Sequence, residues 1–149
     1  MKQVALMLVL ASLISVATYN DTLSGSQTAA PEAEGIALNL TAAGDLPGMT
    51  EVNLHRNGEN VTGGSLRLTV LPQNANATSS ERGQLVGTIS GGTVTLNSEG
   101  TLASASGVQV TIQSGTGEFA TVTSGTATLN ITANTENPSQ LSGALVFNF

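Results

Sequence analysis

The chain of 149 residues contains no cysteine, few aromatic residues and few charges. The absence of cysteine excludes a disulfide framework, a thiol nucleophile and a thiolate metal site. Aromatic residues make up 3% of the chain and charged residues 9%. The fold must therefore rest on the packing of aliphatic side chains and on backbone hydrogen bonds, because nothing covalent holds it.

Basic residues are also scarce. Lys and Arg together number 4, against 10 Asp and Glu, so the net charge is −6. A nucleic acid partner requires clustered Lys and Arg to neutralise its phosphates, and an anionic membrane surface requires a polybasic segment. Neither is present, so we expect no nucleic acid partner, and contact with a membrane only before assembly or export.

Catalytic groups are few. The one histidine, His55, follows a predicted strand and precedes Arg56, so we interpret it as a surface residue. A nucleophilic triad would depend on this histidine, and a zinc site would combine it with scattered carboxylates, which is a poor ligand set. The sequence therefore predicts no enzyme, no cofactor and no metal site.

The first stretch, MKQVALMLVLASLISVATY, is apolar and uncharged after Lys2. Three interpretations are open: a secretory signal with Ser15-Val16-Ala17 as a small-x-small cleavage site, a retained helix packed against copies of itself, or a short membrane anchor. If the helix is retained and packs against copies of itself, it must be buried on every side, because it is apolar all round. The residues that would form its packing surface are Val4, Leu6, Leu8, Leu10, Leu13 and Ile14.

The rest of the chain is rich in glycine, serine and threonine and shows alternating apolar residues. Residues 20–34 have no such period and predict a polar linker. From Gly35 onward, short runs of period two are bounded by Gly, Pro, Asn or Asp, which indicates strands. Runs 85–90 and 93–97 around Gly91-Gly92 predict a hairpin, and residues 119–123 predict a further strand.

These patterns give a mainly β fold, an antiparallel β-sandwich or small barrel of about eight short strands, preceded by an N-terminal hydrophobic helix. The predicted organisation is a helix over residues 1–19, the linker over 20–34 and an extracellular β-domain over 35–149. We expect the helix to serve either as a filament core or as a signal peptide.

Five Asn-x-Ser/Thr motifs are possible N-glycosylation sites. Three fall in predicted loops or linker and two at outward positions of predicted strands, so glycans could be attached without disturbing the core. The alternative is that Asn and Thr are simply common at turns and on outer faces of strands. The five asparagines are Asn20, Asn39, Asn60, Asn76 and Asn130.

The most distinctive local motif is SGTGEF, from Ser114 to Phe119. Gly115 and Gly117 suit a tight structural corner, and Phe119 is expected to enter the core. With the closing VFNF, this region resembles the final hairpin of the dirigent and allene-oxide-cyclase barrel family. The resemblance implies an eight-stranded barrel with a lumen that holds a ligand, and it brings no catalytic residues.

The layout of apolar helix, short polar connection and Thr/Ser/Gly/Asn-rich β-domain resembles that of type IV pilin-like subunits, especially archaeal ones. That resemblance implies helices bundled in a filament core, with β-domains outside. The sequence therefore predicts a structural homopolymer subunit at the cell surface. The alternative is a secreted, soluble small barrel that binds a small apolar ligand after its signal is removed.

Overall fold

The computed structural model describes residues 18–27, 35–72, 81–98, 100–122 and 124–149. Eight strands form a closed antiparallel barrel and lie in it in chain order. Each strand pairs with its neighbours in sequence, and β1 pairs with β8. The strands are β1 (Thr18–Ser26), β2 (Gly35–Gly44), β3 (Gly48–Asn57), β4 (Asn60–Val70), β5 (Gly83–Leu96), β6 (Leu102–Gly115), β7 (Gly125–Ala133) and β8 (Gln140–Asn148).

The inner face of the barrel is aliphatic because alternate residues of each strand point inward. On β2, for example, Ile36, Leu38, Leu40 and Ala42 are all buried. The largest interior side chains with less than 2% of their surface exposed are Phe147, Leu40, Leu54, Leu66, Leu68, Leu85, Ile89, Leu102, Ile112, Leu129, Ile131 and Leu145. The mainly β prediction is confirmed, and of the two predicted architectures the barrel is the one observed.

The outer face is polar. The outward positions of β3 hold Glu51, Asn53 and His55, and those of β6 hold Gln109 and Thr111, all of them exposed. Among the described residues, Met49 is the one large hydrophobic side chain that is exposed. An apolar interior with a polar exterior is the reverse of the polarity of a barrel that spans a membrane with its strands.

The two ends of the barrel are distinguished by the strand ends and connections that lie there. We call the end at which Thr18 begins β1 and Phe149 follows β8 the near end; the connections β2–β3 and β6–β7 also lie there. We call the opposite end the far end, where Ser26 ends β1 and where the connections β3–β4, β5–β6 and β7–β8 lie. No helix among the described residues is long and apolar enough to cross a bilayer.

Glycines allow the strands to bend at close approaches. Gly64 on β4 has φ +139°, and a Cβ there would lie 1.9 Å from the carbonyl oxygen of Asn53. It sits beside the bulge at which the β3–β4 register shifts, between His55 and Arg56. A residue with a side chain could not take this position without displacing the neighbouring strand.

Two predictions about strands were wrong. The hairpin expected around Gly91-Gly92 is one strand of 14 residues, β5, with register shifts at these glycines. A pair of glycines can form a bulge that bends a strand as well as a tight turn, and here β5 continues through both glycines. The strand expected over residues 119–123 is not found in its described part: Phe119 ends a short 3₁₀ turn, Gly117–Phe119, and residues 120–122 form a turn and irregular structure. Residue 123 lies outside the described residues.

The predicted linker over residues 20–34 was also wrong for its first part. Residues 20–26 belong to β1, which closes the barrel, and Thr18 and Tyr19 of the predicted N-terminal helix belong to it as well. The remaining prediction for the helix, which concerns residues 1–17, lies outside the described residues, as do residues 28–34 of the predicted linker.

Candidate functional site

The resemblance to the dirigent and allene-oxide-cyclase family predicts a lumen in the barrel interior that could hold a ligand. Leu40, Leu68, Leu129 and Phe147, which come from four strands, have no accessible surface at all. A side chain with no accessible surface borders no space large enough for a water molecule. The middle of the barrel is therefore a packed core and not a ligand cavity.

The near end contains the one acidic group inside the barrel among the described residues, Asp21. It occupies an inward position on β1 and keeps only 3% of its surface exposed. Its Oδ1 accepts a hydrogen bond of 2.8 Å from the backbone N–H of Leu46, while Oδ2 is buried with no hydrogen-bond partner among the described residues. Burial raises the pKa of Asp21 from 3.8 to about 6, assisted by the nearby Asp45 and opposed by the Leu46 hydrogen bond.

The surroundings of Asp21 join β1 to the β2–β3 connection. Asp45 Oδ2 accepts a hydrogen bond of 2.9 Å from the backbone N–H of Asn20, and Asp45 donates its own N–H to the carbonyl oxygen of Asn20 at 3.1 Å. Tyr19 lies at the same end, where burial and the Asp45 charge raise its pKa and Arg82 opposes that rise. Leu46, whose N–H donates a hydrogen bond to Asp21, is itself buried.

The structural corner predicted at SGTGEF also lies at the near end. Gly117 has φ +59°, and a Cβ there would be 2.3 Å from the carbonyl oxygen of Arg82; at Gly115 it would be 2.2 Å from that of Phe119. Phe119 is buried, and the Arg82 guanidinium lies 5.8 Å from its ring centre while pairing with Glu118 at 3.0 Å. The groups of this corner therefore contact one another and the start of β5.

Gln27 holds the far end together, although nothing in the pattern around it predicts this role. Its Nε2 donates to the carbonyl oxygens of Leu102 at 2.8 Å and Pro138 at 2.9 Å, and its Oε1 accepts from the N–H of Leu102 at 3.0 Å. Its backbone N–H donates to the carbonyl oxygen of Ser139 at 2.8 Å. Gln27 thus ties the end of β1 to the start of β6 and to the β7–β8 connection.

A shallow groove of about 330 Å³ lies on the outer face of β3, β4 and β5. Glu51, Asn53, Ser65 and Arg67 supply its polar lining, and Leu66 and Val86 complete it. Glu51 and Arg67 form an ion pair with each other, and both side chains are about half exposed. Because these two charges already neutralise each other, the groove offers no unmatched charge to a ligand.

The predicted modification sites are placed on the surface where the structure describes them. Asn20, Asn39, Asn60 and Asn130 are all exposed, and Asn76 lies outside the described residues. Asn130 Oδ1 accepts a hydrogen bond of 2.8 Å from the N–H of Gly107, which leaves its Nδ2, the atom that carries a glycan, unused by that bond.

His55 is exposed on the outer face of β3. Within the described ranges, no group of three or more His, Asp or Glu side chains lies close enough together to hold a metal ion. The residues predicted for the assembly helix lie outside the described residues, so the structure does not bring them together with any other site.

The missed residues, Asp21 and Gln27, both belong to β1 and its end. A signal for β1 does exist: Tyr19, Leu23 and Gly25 alternate with Asn20, Thr22 and Ser24. Asp21 interrupts the apolar period at an inward position, so the segment looks polar.

Comparison of the chain with family models, with curated proteins and with solved structures gives no match.

Proposed function

We propose that the protein is the structural subunit of an extracellular, pilus-like filament. In this proposal the segment 4–14, which we call the apolar segment, packs against copies of itself in the filament core, and the barrel forms the outer wall. Removal of the segment's side chains from water supplies the assembly energy, at ~25 cal/mol per Å² of apolar surface.

The filled interior of the barrel is the observation that carries this proposal. A barrel that transports or transforms a small molecule needs a space for it, whereas interior residues such as Leu40 and Phe147 have no accessible surface and leave no such space beside them. The polar outer face, with Thr, Ser and Asn in place of charged clusters, suits a wall that faces water. These features favour a structural module over a carrier or an enzyme.

The direct junction between the apolar segment and the barrel adds support. Thr18, one residue after Ala17, is already the first residue of β1 and is paired with Asn148 of β8. A force or a contact that holds residues 1–17 therefore acts on a barrel strand that is hydrogen-bonded on both sides. Such a junction suits a subunit that is attached to the filament core by its N-terminal segment.

The experiment replaces one residue of the apolar segment and looks for filaments by negative-stain electron microscopy. We expect Leu8→Asp to abolish filaments, because burying a carboxylate against apolar neighbours costs several kcal/mol per subunit. Leu8→Met keeps the volume and apolar character and is the control that should assemble. Far-UV circular dichroism checks that both barrels are folded. Filaments of normal length from Leu8→Asp would refute the proposal.

A second candidate is a secreted barrel from which residues 1–17 have been removed. Its supporting observation is that cleavage after Ser15-Val16-Ala17 leaves Thr18 as the first residue, which is the first residue of β1. If this form binds a small apolar ligand, the packed interior directs the search to its surface. The intact mass and N-terminal sequence of the protein from its native source separate the two candidates, since the subunit retains residues 4–14.

A further inference from the structure

The strand β1 contributes less to the core than the strand next to it. Its inward positions are occupied by Tyr19, Asp21, Leu23 and Gly25, of which Leu23 is the one fully buried aliphatic residue. Tyr19 and Gly25 are only partly buried, and Asp21 is an acid without a partner for one oxygen. The corresponding positions of β2 are four buried aliphatic residues. Most of the apolar core therefore remains if β1 is withdrawn.

Hydrogen bonds, most of them between backbone groups, hold β1 in place instead. All nine residues of β1 pair with β8, from Thr18 opposite Asn148 to Ser26 opposite Gln140. Five of them, from Asp21 to Gly25, also pair with β2. Backbone ladders do not depend on which copy of the chain supplies the strand, so an identical strand from a second copy would form the same bonds.

Withdrawal of β1 leaves the other seven strands in their order, because β1 is the first strand and interrupts no other pairing. The result is an open sheet whose two edges, β2 and β8, face the same gap. Unpaired edges of this kind readily accept an added strand. The gap is shaped for Leu23 beside Ala42 and for Gly25 beside Leu40, where a larger residue would clash.

We infer that β1 is an exchangeable strand: residues 18–26 of one copy complete the barrel of another copy of this chain. Reciprocal exchange gives a closed dimer, and one-directional exchange gives a row of linked barrels. This coupling joins the barrels themselves and does not depend on the proposed role of the apolar segment.

The test uses the absence of cysteine. Thr22 and Ala144 lie opposite each other in the β1–β8 register, and both side chains reach the outer surface. The single variants Thr22→Cys and Ala144→Cys are unfolded together, refolded as a mixture and treated with a short thiol-to-thiol cross-linker. Both carry Leu8→Asp, so that assembly through the apolar segment cannot bring the copies together and contribute to cross-linking.

The matched control mixes Thr128→Cys with Val146→Cys, which lie opposite each other on β7 and β8. These two strands are not exchanged, so their pair can only report random collision. We expect several-fold more 22–144 heterodimer, identified by peptide mass, than 128–146 heterodimer. Equal yields in the two mixtures overturn the inference. The double variant Thr22→Cys/Ala144→Cys verifies that the barrel has refolded, because its two thiols cross-link within one chain when β1 pairs with β8 of the same chain.

Discussion

The buried carboxyl of Asp21 makes the stability of the barrel depend on pH in an unusual direction. Its pKa rises from 3.8 to about 6 on folding, so the folded protein binds this proton more tightly than the unfolded chain does. Between these two values the unfolded chain has lost the proton while the folded barrel keeps it. The contribution of Asp21 to stability is therefore most favourable below about pH 4, falls as the pH rises toward 6, and stays low above it.

The size of the effect follows from the two pKa values. A difference between 3.8 and about 6 corresponds to about 3 kcal/mol in the free energy of unfolding, since one pKa unit is worth about 1.4 kcal/mol. For a small domain whose total stability is roughly 5–15 kcal/mol, this is a large fraction. Asp21 keeps only 3% of its surface exposed, so little solvent reaches its charge.

The assay is urea unfolding followed by far-UV circular dichroism between pH 3.5 and 7.5, on the wild-type protein and on Asp21→Asn. The amide keeps the size of the side chain and the oxygen that accepts the N–H of Leu46, and it does not titrate. We expect the free energy of unfolding of the wild type, relative to Asp21→Asn, to fall by about 2.4 kcal/mol between pH 4 and pH 7, since part of the full difference already lies below pH 4. Parallel curves for the two proteins would show that the reasoning is wrong. Asp45→Asn, a neutral replacement of the exposed neighbouring acid, is the control and should retain most of the dependence.

Three further predictions concern stability, measured by the same urea unfolding at pH 7. Gln27→Ala removes three side-chain hydrogen bonds and should lower the free energy of unfolding by about 2–4 kcal/mol, whereas Gln113→Ala on the exposed face of β6 should change it by less than about 0.5 kcal/mol. Similar losses for both glutamines would contradict the role of Gln27. Gly64→Ala should cost at least about 3 kcal/mol because its Cβ meets the backbone of β3, while Gly35→Ala, with open space around it, should be nearly neutral. Phe119→Ala should cost about 3–5 kcal/mol because it empties the corner at the near end; a loss below about 1 kcal/mol would show that the ring does not hold that corner.

Much of the fold could be predicted from alternation alone. The periods through Ile36 to Leu40, Leu66 to Val70 and Val108 to Ile112 identify inward faces that the structure shows buried. Periodicity gives the face that each strand turns to the core, but it does not give the strand's partner. The choice between sandwich and barrel stayed open for that reason, since both architectures bury alternate residues of antiparallel strands.

The errors have physical causes in particular residues. β1 was interpreted as a linker because a buried acid and a glycine, Asp21 and Gly25, occupy two of its inward positions. β5 was divided in two because Gly91-Gly92 can form a turn or a bulge, and only the curvature of the closed sheet decides between them. The hydrogen bonds of the Gln27 side chain could not be predicted from the sequence, because its partners Leu102 and Pro138 come close to it only when the barrel closes.

The pairing of the first strand with the last has a consequence for synthesis. Thr18 donates a hydrogen bond to Asn148 across 130 positions of the chain, so the barrel cannot close until its last strand has been made. At about 5–20 residues per second, β1 waits roughly 7–26 s for its partner. Until then β1 has one long edge that its own chain cannot yet cover. The local density of nascent and newly released copies, and not only the stability of the finished barrel, therefore governs whether a chain closes on itself or on its neighbour.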